Sequence, residues 1–331
     1  MRQNDSSRLF AKKIVGSMAL TLVLVALGSQ QALAAKQPAQ QCSLAIVTKQ
    51  PVGSAQICDA KTVRNLAKQG RVFEQNQLGM VSMLAIGQGY DPAEALTWFQ
   101  RAAQSGYAPA QVNLAVMYIN GWGVGQNYGI ALHWLHRATD QGDGRAYYNL
   151  GILYLQGSGV PKDAAEALKY FQKGADAGDT SAETNLGYMY DQGMGVGRDL
   201  DAAVRWYRKA ADAGNALAQN NLADLYLRGE GMPQDDAKAF QLFQQAAAQG
   251  QTGARIKLGY MYSSGRGTAK DVETAYAWTS AAVAAGDGRG RDLLRTMERQ
   301  LSPAQIAAAS ERAKKLNAEG EATLTARAFE Q

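Results

Sequence analysis

The 331-residue chain is poor in the residues that build compact chemical centres: two cysteines, two histidines and 8% aromatics. Two cysteines exclude a disulfide-dense mini-scaffold and any zinc module built on four thiolates. Two histidines leave little material for a histidine-built metal site. No apolar run reaches the roughly twenty residues that a membrane span needs; the longest, Ile14–Leu27, has fourteen. What is present points to a folded core, since 46% of residues are hydrophobic and only 19% charged. Glycine is abundant, with 35 residues against seven prolines, so its meaning turns on whether it recurs at a fixed period.

Residues 1–34 are read as an address. Arg2, Arg8, Lys12 and Lys13 precede the Ile14–Leu27 run, and Ala32-Leu33-Ala34 supplies a small-x-small cleavage pattern. Together these features predict a secretory signal peptide, a mature chain beginning near Ala35, and a periplasmic or secreted protein with no stable membrane insertion after cleavage. Neither cysteine follows the apolar run directly, so a lipid anchor is not expected. Removing this segment takes away four bases and one acid and lowers the net charge from +5 to +2. No basic stripe remains, and nucleic acid is not an expected partner. Cys42 and Cys58, an even pair in an oxidising compartment, are expected to form one structural disulfide; their spacing is not that of a C-x-x-C redox pair.

A period of 36 residues organises most of the chain. Leu78, Leu114, Leu150, Leu186, Leu222 and Leu258 step by it, as do Tyr118, Tyr154, Tyr190, Tyr226 and Tyr262. Further columns are Ala95 to Ala275 and Gly106 to Gly286. Within each repeat the apolar spacing is helical, with two stripes separated by Gly-x-Gly. Glycine accepts the left-handed conformation of a helix C-cap. Asp91, Asn127, Asp163, Asp199, Asp235 and Asp271 follow as N-caps of the second helix, and Asp91…Glu94 and Asp163…Glu166 have capping-box form. Each repeat is therefore a helix pair that buries its apolar side by stacking on its neighbours. Four of the five tryptophans, Trp98, Trp134, Trp206 and Trp278, fall in an apolar column assigned to the core.

Asn149-Leu150-Gly151, Tyr154, Gly157-Ser158-Gly159-Val160, Asp163, Ala167, Tyr170 and Gly178 give the pattern in full. This pattern resembles the Sel-one-like repeat family over about residues 73–286. Repeat one departs from it, with Ala85-Ile86-Gly87 in place of Gly-x-Gly. The resemblance implies an all-α, right-handed solenoid of about six helix-turn-helix repeats, similar to tetratricopeptide arrays and serving as a protein-binding adaptor. The domain reading is a signal peptide over 1–34, an N-terminal cap over 35–72, six repeats over 73–286, capping helices over 287–317 and a flexible tail over 318–331. Ser302-Pro303 is expected to start the last helix, with a capping serine and a proline at the first helical position.

Little in the chain points to chemistry. His133 and His136 are three apart, but their columns hold solvent-face residues and no third ligand stands at usable spacing, so no metal is expected. The glycine loops lack the Gly-Lys-Ser/Thr of a phosphate cradle, and no cofactor is expected. Some cysteine-rich relatives in the family are described as penicillin-binding or β-lactamase-like. The Ser-x-x-Lys of that chemistry is missing here, as is their disulfide per repeat. Cell-wall-directed enzyme or peptidoglycan-fragment binder stays as the alternative to a non-catalytic adaptor in envelope signalling, surface-polysaccharide control or host interaction.

Binding remains. The first helix of each repeat is expected to line a concave groove that takes a protein or peptide. The candidate contact residues are Val112, Val116, Ile119, Tyr148, Ile152, Leu155, Tyr188 and Asp191, with Trp122 as a separate lead on a loop. Tyr148 is the expected anchor. The groove-facing apolar set of repeats two and three can equally be ordinary packing between helices.

Overall fold

The computed structural model describes residues 42–44, 56–58, 60–83 and 90–330. The signal-peptide reading, the side chains of Cys42 and Cys58 with their expected disulfide, and the Ala85-Ile86-Gly87 loop all lie outside the residues and side chains described. Two short strands come first, β1 (Cys42–Leu44) and β2 (Gln56–Cys58), paired in parallel with Ser43 opposite Ile57. Helices follow: α1 (Ala60–Lys68), α2 (Val72–Met83), α3 (Pro92–Gln104), α4 (Ala108–Asn120), α5 (Tyr128–Thr139), α6 (Gly144–Gln156) and α7 (Ala164–Asp176). Then come α8 (Thr180–Gln192), α9 (Leu200–Asp212), α10 (Ala216–Arg228), α11 (Asp236–Ala248), α12 (Thr252–Ser264) and α13 (Val272–Ala284). Last are α14 (Arg291–Glu298) and α15 (Pro303–Glu330). Apart from the small β1–β2 ladder, the architecture is all-α: an α-solenoid of consecutive helix pairs. The described residues form two compact units, one ending at Ala182 and one running from Glu183 to Thr325.

In the first unit each helix from α1 to α6 packs on its successor, and β1 lies against α1 and α2. The leucine column is buried as the period requires: Leu78, Leu114 and Leu150 here, Leu186, Leu222 and Leu258 in the second unit. The loops close in one recurring way. Glycine ends the first helix in the left-handed region (Gly157, φ 77°), and the Asp163 N–H then donates to the Tyr154 carbonyl at 2.9 Å. The Asp163 carboxylate accepts from the Glu166 N–H at 2.9 Å, and Asp91, Asn127, Asp199, Asp235 and Asp271 cap their helices in the same manner.

The capping-box form at Asp91 and Asp163 is not carried through by the glutamates. Glu94 accepts from Arg64, Ser82 and Trp98 instead, and Glu166 pairs with Lys169. The reciprocal box forms at α15, where Ser302 Oγ accepts from the Gln305 N–H and Gln305 Oε1 accepts from the Ser302 N–H. There Pro303 holds the first helical position and Gln305 is free to reach back.

The deepest column is one residue beyond the tryptophans. Phe99, Leu135 and Phe171 in the first unit, and Tyr207, Phe243 and Thr279 in the second, are fully or almost fully buried. Each sits twenty positions after a small residue of the preceding helix. A Cβ placed on Gly151 would stand 2.6 Å from Phe171 Cε1, and one on Gly187 2.6 Å from Tyr207 Cδ1. The missing side chain is thus the socket for the ring. The tryptophan column is pushed to the rim, where Trp134 and Trp206 are half-buried and only Trp98 is closed off. There three of the tryptophans take the cation three residues on across their faces: Arg101 at 5.0 Å from the Trp98 centroid, Arg137 at 5.2 Å from Trp134 and Lys209 at 5.2 Å from Trp206.

A further column pins each first helix to the end of the second helix before it. Gln75, Gln111 and Tyr147, then Gln219 and Arg255, each donate to the backbone carbonyl eight residues earlier at 3.0–3.3 Å. Glu183 occupies this column and pairs instead with Lys209 at 2.8 Å. At the C-terminal end Arg255 also donates to the Leu316 carbonyl at 2.9 Å and to Asn317. α15 therefore closes the second unit, with Ile306, Ala309 and Leu316 against Ala275, Tyr276 and Met297. It runs on as helix to Glu330, beyond the boundary at 317 expected for the cap.

Candidate functional site

The predicted contact residues separate by their position in the fold. In the first unit Val112 and Val116 are buried in the cluster formed by Leu135, Leu150 and Leu153. Tyr148 is 8% exposed, with its ring 5.8 Å from that of Phe171. These three side chains pack the repeat, which is the bland reading of an apolar stripe. Ile119, Ile152 and Leu155 are half-buried at the same face. Trp122 is half-buried too, and it packs against the core clusters of two successive helix pairs rather than standing free on its loop.

The second unit is different. Tyr188 on α8 and Tyr260 on α12 occupy one column and are 42% and 50% exposed. Between them in sequence order, Asp224 on α10 pairs with Lys257 at 2.8 Å. Asp191, one turn after Tyr188, is 7% exposed. Arg198 donates to its backbone carbonyl at 2.8 Å but approaches its carboxylate only to 3.9 Å. The same guanidinium is held by Glu230 at 3.1 Å.

Tyr207 joins this group from the other helix layer. Its ring passes over Gly187, and its hydroxyl is hydrogen-bonded to the Asn221 side chain and lies within the electrostatic reach of Asp191 and Tyr188. Burial, with the Asp191 charge added, pushes the Tyr207 hydroxyl well above the ordinary tyrosine range, so it remains a protonated donor. Asn220 Nδ2 donates to Asn221 Oδ1 at 3.2 Å. Two oxygens of this network have no hydrogen-bond partner: Asp191 Oδ1 and Asn220 Oδ1, both shut off from solvent.

Sequence reasoning names Tyr188 and Asp191 as candidates and does not join Tyr207, Asn220 and Asn221 to them. The available signal was a break in the columns. Where α8, α9 and α10 carry Tyr188, Asp191, Tyr207 and Asn220, the preceding repeat carries Ile152, Leu155, Phe171 and Thr184. His133 and His136 are exposed on α5. Among the described residues no group of three or more metal-ligating side chains is assembled, and no helix is long and apolar enough to cross a membrane.

Six repeated helix hairpins, capped by glycine and aspartate and joined by leucine and aromatic columns, define a helical repeat scaffold. The Sel1 repeat family model matches residues 75–107, 108–143, 144–179, 180–215, 216–251 and 253–287, and the chain belongs to that family. A Sel1 repeat protein from Oxalobacter formigenes is similar in structure, at 32% identity and a TM-score of 0.58. That match covers 65% of this chain and 86% of the other. Another similar structure is c5321, a protective antigen of uropathogenic Escherichia coli strains with an SLR fold, at 28% identity and a TM-score of 0.46. It covers 80% of this chain and 65% of that one. A search of curated protein sequences finds no match. Sel1 repeat proteins are helical scaffolds for protein interaction, and the fold is generally non-catalytic.

Proposed function

We propose that the protein is an exported, non-catalytic adaptor of the bacterial envelope that holds another protein or a peptide segment on the first helices of its repeats. The observation that carries this reading is the exposed face of the second unit. There Tyr188 and Tyr260 stand open beside Asp224, Lys257 and Asn221. Tyrosine with short polar neighbours suits recognition, since the ring supplies contact area at low entropy cost and its hydroxyl adapts to a partner. The repeat columns themselves are occupied with packing and capping, which supports binding over turnover. Signalling, surface-polysaccharide control and host interaction are the roles the family resemblance implies.

The test places a photocrosslinking amino acid at position 188 in intact cells and identifies the captured chain by mass spectrometry. A control places it at exposed His133. A defined protein captured from 188 and not from 133 supports the reading. Turnover of muropeptides or β-lactams by the purified protein alone would replace it with the cell-wall enzyme. Export is checked separately by intact mass: a mature chain starting near Ala35 without an alkylatable thiol is expected, and retention of Met1 or two reactive thiols would remove the envelope location.

A further inference from the structure

The α8–α9–α10 network is not required by the repeat. At the same positions the preceding repeat places isoleucine, leucine and phenylalanine and remains a packed helix pair. The following repeat also returns to Leu227 and Phe243, both buried. A carboxylate oxygen and an amide oxygen buried without donors oppose folding, because each lost its water and gained no hydrogen bond. Asp191 has only the distant Arg198, whose charge is shared with Glu230. Two neighbouring first helices thus carry unsatisfied acceptors around Tyr207, whose hydroxyl is hydrogen-bonded to the Asn221 side chain and lies within the electrostatic reach of Asp191. Beside them lies the exposed ring of Tyr188.

We propose that this network is a subsite for a cationic hydrogen-bond donor, the ammonium or guanidinium of a lysine or arginine side chain in the bound segment. The inference rests on the reading of the chain as an interaction scaffold. Acceptors call for N–H groups, the Asp191 charge favours a cation over a neutral amide, and an open tyrosine face attracts a cation further. Tyr188 precedes Asp191 by three residues on one face of α8, so its exposed ring stands beside the buried carboxylate. A partner lacking the cation leaves Asp191 buried with only the distant Arg198, which gives the site its selectivity.

The test selects random twelve-residue peptides displayed on phage against the purified mature chain, in parallel with Asp191→Leu and Asn220→Thr. Both replacements are residues that the preceding repeat holds in those columns, Leu155 and Thr184, and circular dichroism confirms the fold of each variant. Wild type is expected to enrich lysine or arginine at one fixed peptide position. A synthetic peptide of that consensus should bind Asp191→Leu about tenfold more weakly or worse, and replacing its basic residue by norleucine should cost wild type the same factor and the variant nothing. Peptides bound without a recurrent basic residue, or bound equally by wild type and Asp191→Leu, overturn the subsite and leave the scaffold standing; the buried oxygens would then serve an internal water. Failure of wild type to retain any peptide removes the scaffold reading and the subsite with it.

Discussion

The first-helix faces of α4 and α6 and those of α8, α10 and α12 are built on one 36-residue frame, yet they have opposite characters. On α4 and α6 the columns hold Val112, Val116 and Tyr148, all buried. On the later helices the Val116 column holds the exposed Tyr188 and Tyr260 and, between them, Asp224 in its pair with Lys257, while the Val112–Tyr148 column stays buried at Thr184 and Asn220. The leucine, alanine and glycine columns do not change between the two. Packing columns therefore set the backbone, and the face columns vary over it without moving the helices. In a repeat array the binding surface is found by looking for positions where a column breaks its own rule.

Four substitutions sharpen or break this comparison. Phe171→Ala empties a fully closed socket beside Gly151 and should cost about 3–5 kcal/mol in urea unfolding. A smaller cost than Tyr148→Ala would show that the glycine–ring column is not the deepest layer. Tyr148→Ala should cost about 2–4 kcal/mol, since the ring is buried and touches Phe171; a stable variant that loses binding would instead make Tyr148 a contact residue. Tyr207→Phe keeps the column's usual ring and removes one hydroxyl, so thermal unfolding should register about 1 kcal/mol or less. Tyr188→Ala should stay within about 0.5 kcal/mol of wild type, because the side chain faces solvent; a large loss would mean that the second unit's face is packing like the first.

Much of the frame is legible from residue identity alone. Leu186 falls in the core because leucine repeats there, and Asp199 caps α9 because aspartate or asparagine stands at every such position. The ring column was less visible. Trp206 and Tyr207 are adjacent and both large, and periodicity cannot say which one turns inward. The deciding fact is a pair relation, the absence of a side chain at Gly187 twenty residues away. The pinning column was hidden for another reason. Gln75, Gln111, Tyr147, Gln219 and Arg255 share no size, charge or polarity class, only a donor of the right reach. Tyr148 is buried against Phe171, a placement its identity does not reveal, because a polar tip on a large ring fits an anchor and a core residue equally well. Tyr188 and Asp191 could be named, but their network with Tyr207 and Asn220 depends on a ring that crosses between helix layers.

Arg255 and α15 have a consequence for assembly. An array of stacked hairpins has by nature a sticky last surface, onto which the first hairpin of another molecule can be laid, and such head-to-tail contacts do not close. In this protein the terminal apolar residues Ala275 and Tyr276 are already occupied by Ile306 and Ala309. The guanidinium of Arg255 grips the helix backbone at Leu316, and Gly320 lets α15 lie against Gly250 without a side chain between them. The last helix thus covers the apolar face that the final hairpin would otherwise leave open. A chain cut at Ser302 should sediment as concentration-dependent oligomers where the intact protein holds one size at all concentrations.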